Sequence, residues 1–128
     1  MVYYFSKTIQ DSFENTVQKV KAGLTQEGFG VLTEIDVQAT LKNKLNKEFR
    51  NYIILGACNP PFAFKALQSE RMIGTMLPCN VIVQEGKNGG TEIAAIDPAA
   101  SMQAVENESL AKIALEVRDK LRRVVEQL

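Results

Sequence analysis

Cys58 and Cys79 offer this sequence's richest chemistry, and each is followed by asparagine, Cys58 in LGACNPPF and Cys79 in LPCNV. Cys58 ends an apolar run and stands directly before Asn59-Pro60-Pro61, where a helix is expected to begin. The positive end of a helix dipole favours a thiolate at such a place. On a functional reading, Cys58, Asn59, Cys79 and Asn80 line a site for a small molecule, or Cys58 is the nucleophile of a thiol-dependent enzyme or redox sensor. On a structural reading both cysteines are packing residues of an interaction module, because free cysteine is among the most buried residue types and behaves as a small hydrophobe. Spacing alone leaves these readings open.

The rest of the sequence narrows the chemistry. Histidine is absent, which removes the commonest general base and metal ligand and excludes Ser-His-Asp and Cys-His catalysis within one chain. A structural zinc site takes four Cys or His ligands, so neither a metal site nor a cofactor is expected from two cysteines. Cys58 and Cys79 lie too far apart in sequence for a C-x-x-C redox pair, although neighbouring strands would let them be joined. The segment GKNGG, residues 86–90, lacks the strand-to-helix setting and terminal Lys-Ser/Thr of a phosphate loop and reads as a hairpin turn. Lys42, Lys44, Lys47 and Arg50 form a local basic cluster that reads as a solvated helix face. Fifteen basic and fifteen acidic residues cancel, so no overall pull on nucleic acid or an anionic membrane is expected. Glu34, Asp36 and Asp97 stand near predicted strand ends, as caps and turn residues or as carboxylates that orient a ligand.

Several elements must position these groups. Aromatic and β-branched residues predict a strand over 2–8. Asp11 and Glu14 have the spacing of a capping box, and Phe13, Val17, Val20 and Leu24 then recur on one helical face. Gly28 ends that helix, with Phe29 folding back towards Leu24. Gly23 inside it weakens the helix by about 1 kcal/mol relative to alanine unless close packing explains it. A second strand covers 29–35, and Asp36 caps a short helix carrying Val37, Leu41 and Leu45. The nearly unbroken apolar run 51–57 predicts a strand buried inside a sheet. Asn59 caps a helix that starts at Pro60, with Phe62 and Ala66 facing inward. Strands at 77–85 and 91–97 flank the glycine turn, and Pro78 belongs at the start of its strand or at a bulge. From Leu110 to Leu128 an apolar stripe with charges on the remaining faces predicts the longest helix, Glu106 and Glu108 near its start and Arg122 and Arg123 near its end.

The expected fold is α+β in one domain, 1–128: an antiparallel or possibly mixed sheet of about five strands with helices on one face. At 128 residues, 45% of them hydrophobic, the chain buries a core without needing a disulfide. The opening MVYYFSKTIQDSF lacks the basic start and apolar core of a secretory signal, and no apolar run approaches the roughly 20 residues of a membrane span, so a cytoplasmic protein is expected.

Through GFGVLTEIDVQATLKNKL, ILGACNPPFAFKAL, GTMLPCNVIV and AIDP the chain resembles the domain-of-unknown-function 302 family over nearly its full length. That resemblance implies a TATA-binding-protein-like α+β fold with a β-α-β4-α core, and a tendency to form homodimers, but no activity. Relatives commonly carry histidine at the position of Phe64, so a Cys-His arrangement suspected in them does not transfer to this chain. The combined expectation is a cytoplasmic homodimer that binds a small molecule at Cys58, Asn59, Cys79 and Asn80.

Overall fold

Period-two alternation in the strands and a 3.6-residue stripe in the last helix set one sheet face against helices. The computed structural model describes residues 2–128. They form β1 (Tyr4–Ile9), α1 (Phe13–Gln26), β2 (Gly30–Asp36), α2 (Val37–Leu45), β3 (Tyr52–Cys58), α3 (Pro60–Ser69), a 3-10 turn (Ile73–Met76), β4 (Cys79–Glu85), β5 (Thr91–Ile96), a short α4 (Pro98–Ser101) and α5 (Glu108–Glu126). The strands make one five-stranded sheet in the order β1-β5-β4-β3-β2, antiparallel at every pairing. The fold is thus α+β as expected, and with the short helices set aside its order is β-α-β4-α. No helix among the described residues is long and apolar enough to cross a membrane.

Leu55, Val81, Val83, Ile93 and Ala95 project from the sheet against Val20 and Leu24 of α1 and Leu121, Val124 and Val125 of α5. Full burial of an aliphatic side chain of this size is worth about 1.5–3 kcal/mol, so α5, with six buried residues along its stripe, is a principal source of stability. A second cluster, of Ala66, Ile73, Met102, Leu110 and Ala114, joins α3 to the start of α5. Lys7 of β1 donates through Nζ to main-chain oxygens of Glu126 and Leu128, a cation at the C-terminal end of α5.

Helix ends follow local chemistry, with a correction at the start of α1. The N-cap of α1 is Ser12, whose Oγ accepts from the Asn15 amide at 3.1 Å, rather than Asp11. Asp11 instead accepts from the Ser12 amide and the Asn15 side chain and pairs with Lys19 at 2.6 Å. These donors, Lys19 foremost, hold its carboxyl down at about 2. At the other end of α1 the amides of Gly28 and Phe29 donate to Thr25 and Leu24 carbonyls at 3.0 and 2.9 Å, the doubled closure that calls for a left-handed residue at Gly28, where φ is +85°. Asp36 caps α2 as expected, accepting from Ala39 at 2.9 Å. The expected apolar face of α2 is not buried: α2 lies beside β2 and β3 with Leu45 62% exposed.

Strand β4 begins at Cys79, two residues later than the sequence suggests, because Pro78 has no amide to give the ladder. The predicted 86–90 turn joins β4 and β5, with the Gly86 amide donating to the Gly90 carbonyl at 3.0 Å. In β2 the register shifts between Val31 and Thr33, which makes Leu32 the extra residue of a β-bulge. Away from the helices, the register brings Tyr4 against Ile96, Ala94 against Ile82 and Ile82 against Ile54. All three tyrosines of the chain, Tyr3, Tyr4 and Tyr52, gather on this uncovered side.

Candidate functional site

Ala57 pairs with Cys79 across β3 and β4, so Cys58, the next residue, sits at the same end of the sheet as Cys79. There the chain leaves β3 and turns into α3 within one residue. Cys58 and Cys79 both line a cavity of about 260 Å³. Its floor comes from Ala57 and Phe29, one wall from Phe62, Ala63 and Ala66 of α3, and the opposite wall from Leu110, Ile113, Ala114 and Val117 of α5. Met102 and Pro98 close one side, and Leu32, brought there by the β2 bulge, stands at the rim with Leu67.

The two thiols differ within this shared space. Cys58 is half-buried, whereas Cys79 is buried. Burial pushes the Cys79 thiol up to about 11, with the neighbouring Cys58 adding to the shift. At neutral pH Cys79 is therefore a protonated, packed thiol, which suits a wall residue better than a nucleophile.

Asn59 also borders the cavity but has structural work. It occupies the N-cap position of α3 without the side-chain cap expected of it. Its Nδ2 instead donates to the Glu27 carbonyl at 3.2 Å, tying the end of α1 to the start of α3. A Cβ on Gly28 would come within 3.2 Å of that same nitrogen. The prolines at the first two positions of α3 leave the helix start short of two amide donors. Asn80 is not at the cavity: strand alternation points it to the uncovered face, into a depression it shares with Tyr3, Tyr4 and Tyr52. The structure thus brings together Cys58, Asn59 and Cys79 and separates Asn80 from them.

Other sequence candidates have structural partners. Glu34 pairs with Lys21 at 3.1 Å, Asp36 caps α2, and Asp97 caps α4 by accepting from Ala99 at 3.0 Å. In the basic cluster Lys42 pairs with Glu48 at 2.7 Å, and Arg50 donates to Gln84 at 2.8 Å while lying over the Phe49 and Tyr52 rings. Phe64 is 63% exposed and is not among the residues that line the cavity. No group of three or more His, Cys, Asp or Glu among the described residues is placed to hold a metal ion.

Sequence reasoning missed most of the lining. Leu32 reaches the rim through a bulge that no local pattern announced, and Met102 and Pro98 belong to the connection after β5, for which the sequence suggested no element. The signal for the α5 wall was present in its apolar stripe, whose first members Leu110 and Ala114 pack in the second cluster with Ala66 of α3 rather than in the sheet core.

The crystal structure of uncharacterized conserved protein DUF302 from Bacillus stearothermophilus is similar over 99% of this chain and 98% of its own, at 26% identity and a TM-score of 0.92. Among curated proteins none matches the chain. The profile of the family described as Domain of unknown function DUF302 matches residues 5–128, a span that takes in the cavity, every helix and all of the sheet but Tyr4, and the chain belongs to the DUF302 family.

Proposed function

We propose that this protein is a cytoplasmic, homodimeric small-molecule-binding domain of TATA-binding-protein-like fold whose site is the cavity between α3 and α5. The observation that carries the reading is the 260 Å³ space walled by helices and floored by the Cys58–Cys79 end of the sheet. The space opens to solvent at the Leu32–Leu67 rim, and an apolar concavity of this kind beside a half-buried thiol has the usual form of a small-molecule site. Cys58 and Asn59 border it directly, Cys79 lies in its wall, and Asn80 belongs to the second surface. The homodimer reading draws support from the uncovered sheet face, where Tyr3 and Tyr4 are 61% and 42% exposed beside Ile82, Ala94 and Ile96. An exposed apolar patch on a sheet is a common interaction surface.

Xenon tests the cavity directly, because it collects in apolar concavities. Crystals pressurised with xenon are expected to show the gas between Ala66 and Ala114. A cavity that stays empty under pressure would remove the basis for a ligand site. Sedimentation equilibrium tests the other half: Ile82→Lys is expected to convert dimer to monomer, and a wild-type monomer at all concentrations would end the homodimer reading.

The thiol reading is the second candidate, favoured by the two cysteines sharing one cavity. It is less well supported as catalysis, because the resolving partner it offers, Cys79, is buried with its pKa pushed up to about 11.

A further inference from the structure

We infer that the cavity accepts a neutral, largely hydrocarbon ligand, about two fused rings or a short chain of equal bulk, recognised by shape rather than by charge. This inference rests on the cavity being a ligand site and specifies what that site selects.

Three features of the lining lead there. Among the described residues no acidic or basic side chain lines the cavity, Lys65 and Lys120 lying over the Phe62 ring at 5.5 and 5.9 Å without being lining residues, so a charged group entering it would lose its hydration without gaining a partner inside, a penalty of several kcal/mol or more. The one side-chain amide among the described lining residues, that of Asn59, commits one N–H of its Nδ2 to the Glu27 carbonyl and keeps its Oδ1 and second N–H, neutral groups that suit a hydroxyl or carbonyl rather than an ion. The helix start nearest the cavity is an equally poor anion site: Pro60 and Pro61 take the first two positions of α3, and neither has an amide to offer. What the lining offers a ligand is apolar surface, two thiols that are weak hydrogen-bonding groups, and the uncharged remainder of the Asn59 amide.

Size and access agree with that chemistry. Benzene fits a cavity of about 150 Å³, and the space here is about 260 Å³, enough for a larger ring system. The entrance is apolar as well, since Leu32 and Leu67 at the rim are 67% and 47% exposed. A neutral ligand meets hydrocarbon from the mouth to the floor.

Two probes with one ring system and different charge test the inference: 2-naphthalenemethanol and 2-naphthoate, each titrated at pH 7 into the full-length isotopically labelled protein and followed by amide chemical shifts. The alcohol is expected to move the amides of Ala63, Ala66 and Ala114 and to bind at least about tenfold more tightly than the carboxylate. Naphthoate binding as tightly as the alcohol, or more so, would overturn the ligand class while leaving the cavity as a site. No shift at those amides with either probe would overturn both. Ala63→Phe, which fills the space from a half-buried position, is expected to abolish the shifts; their persistence would place the binding elsewhere. Should that variant fail to fold, Leu32→Asp at the exposed rim is expected to weaken the alcohol, and unchanged affinity would contradict the apolar entrance.

Discussion

The dipeptides Cys58-Asn59 and Cys79-Asn80 are identical in composition and share a cavity through their cysteines, yet their asparagines part in the folded chain. At the first, β3 ends and α3 begins, so both residues border the same cavity. At the second, the chain is starting β4, so alternation buries Cys79 and sends Asn80 through to the uncovered face. The lesson is that a repeated motif keeps its meaning only where the backbone repeats too. A strand separates neighbours that a strand-to-helix turn holds together.

The largest expected effect that sharpens this contrast is in the titration of the buried thiol. Cys79 is held protonated, with a pKa of about 11 against an ordinary 9.0. A group whose folded pKa is raised contributes stability that is full below its unfolded value and lost as pH climbs through the folded one. Between pH 9 and 11 the protein is therefore expected to lose roughly 2–3 kcal/mol through Cys79. Urea denaturation at pH 8 and 10.5 checks this, and the Cys79→Ala variant should lack that part of the pH dependence. A wild type and variant with parallel pH dependence would mean that Cys79 is not held protonated by burial.

Next comes the packing beside the two motifs. Gly56 is the partner of Asn80 on the uncovered face, and a Cβ there would lie 2.1 Å from Thr33 Oγ1 and 2.8 Å from Pro78 Cγ. Gly56→Ala is expected to destabilise the protein by about 1–3 kcal/mol, the usual penalty of overpacking, as read by thermal or urea melting. The asparagines then separate. Asn59→Ala loses the tie to Glu27 and is expected to destabilise by about 1 kcal/mol. Asn80→Ala, at an exposed position, is expected to stay within about 0.5 kcal/mol. Equal effects from the two asparagines would break the comparison.

The smallest expected effect lies away from both motifs. A Cβ at Gly23 would stand 3.4 Å from Val124 Cγ1, at the edge of ordinary contact. Close approach of α1 to α5 is therefore only part of the reason for glycine. Gly23→Ala is expected to be neutral or to stabilise by up to about 1 kcal/mol in the same melting assay.

The elements most legible in the sequence were those whose signals are local. The stripe from Leu110 onward, the closure at Gly28, the cap at Asp36 and the unbroken apolar run of β3 each depend on residues within one or two turns of each other, and each is present in the structure. Other assignments failed where competition or tertiary contact decided. Ser12 outcompetes Asp11 as a cap because Asp11 is drawn to Lys19. Asn59 takes the cap position but turns its side chain to Glu27, thirty-two residues away. Of the four residues singled out for the site, three meet at the cavity, because their convergence depends on where β3 ends and β4 begins. The rim residue Leu32 was invisible, since a bulge is fixed by pairing with β3 rather than by the β2 sequence.

The most direct test of the central claim, that the two thiols share one cavity yet only Cys58 is open to reaction, is the rate of iodoacetamide alkylation at each cysteine in the native protein, read separately by peptide mass spectrometry. Cys58 is expected to label in the folded state, and Cys79, buried and held protonated, far more slowly. Equal labelling of the two, or faster labelling of Cys79, would contradict the account.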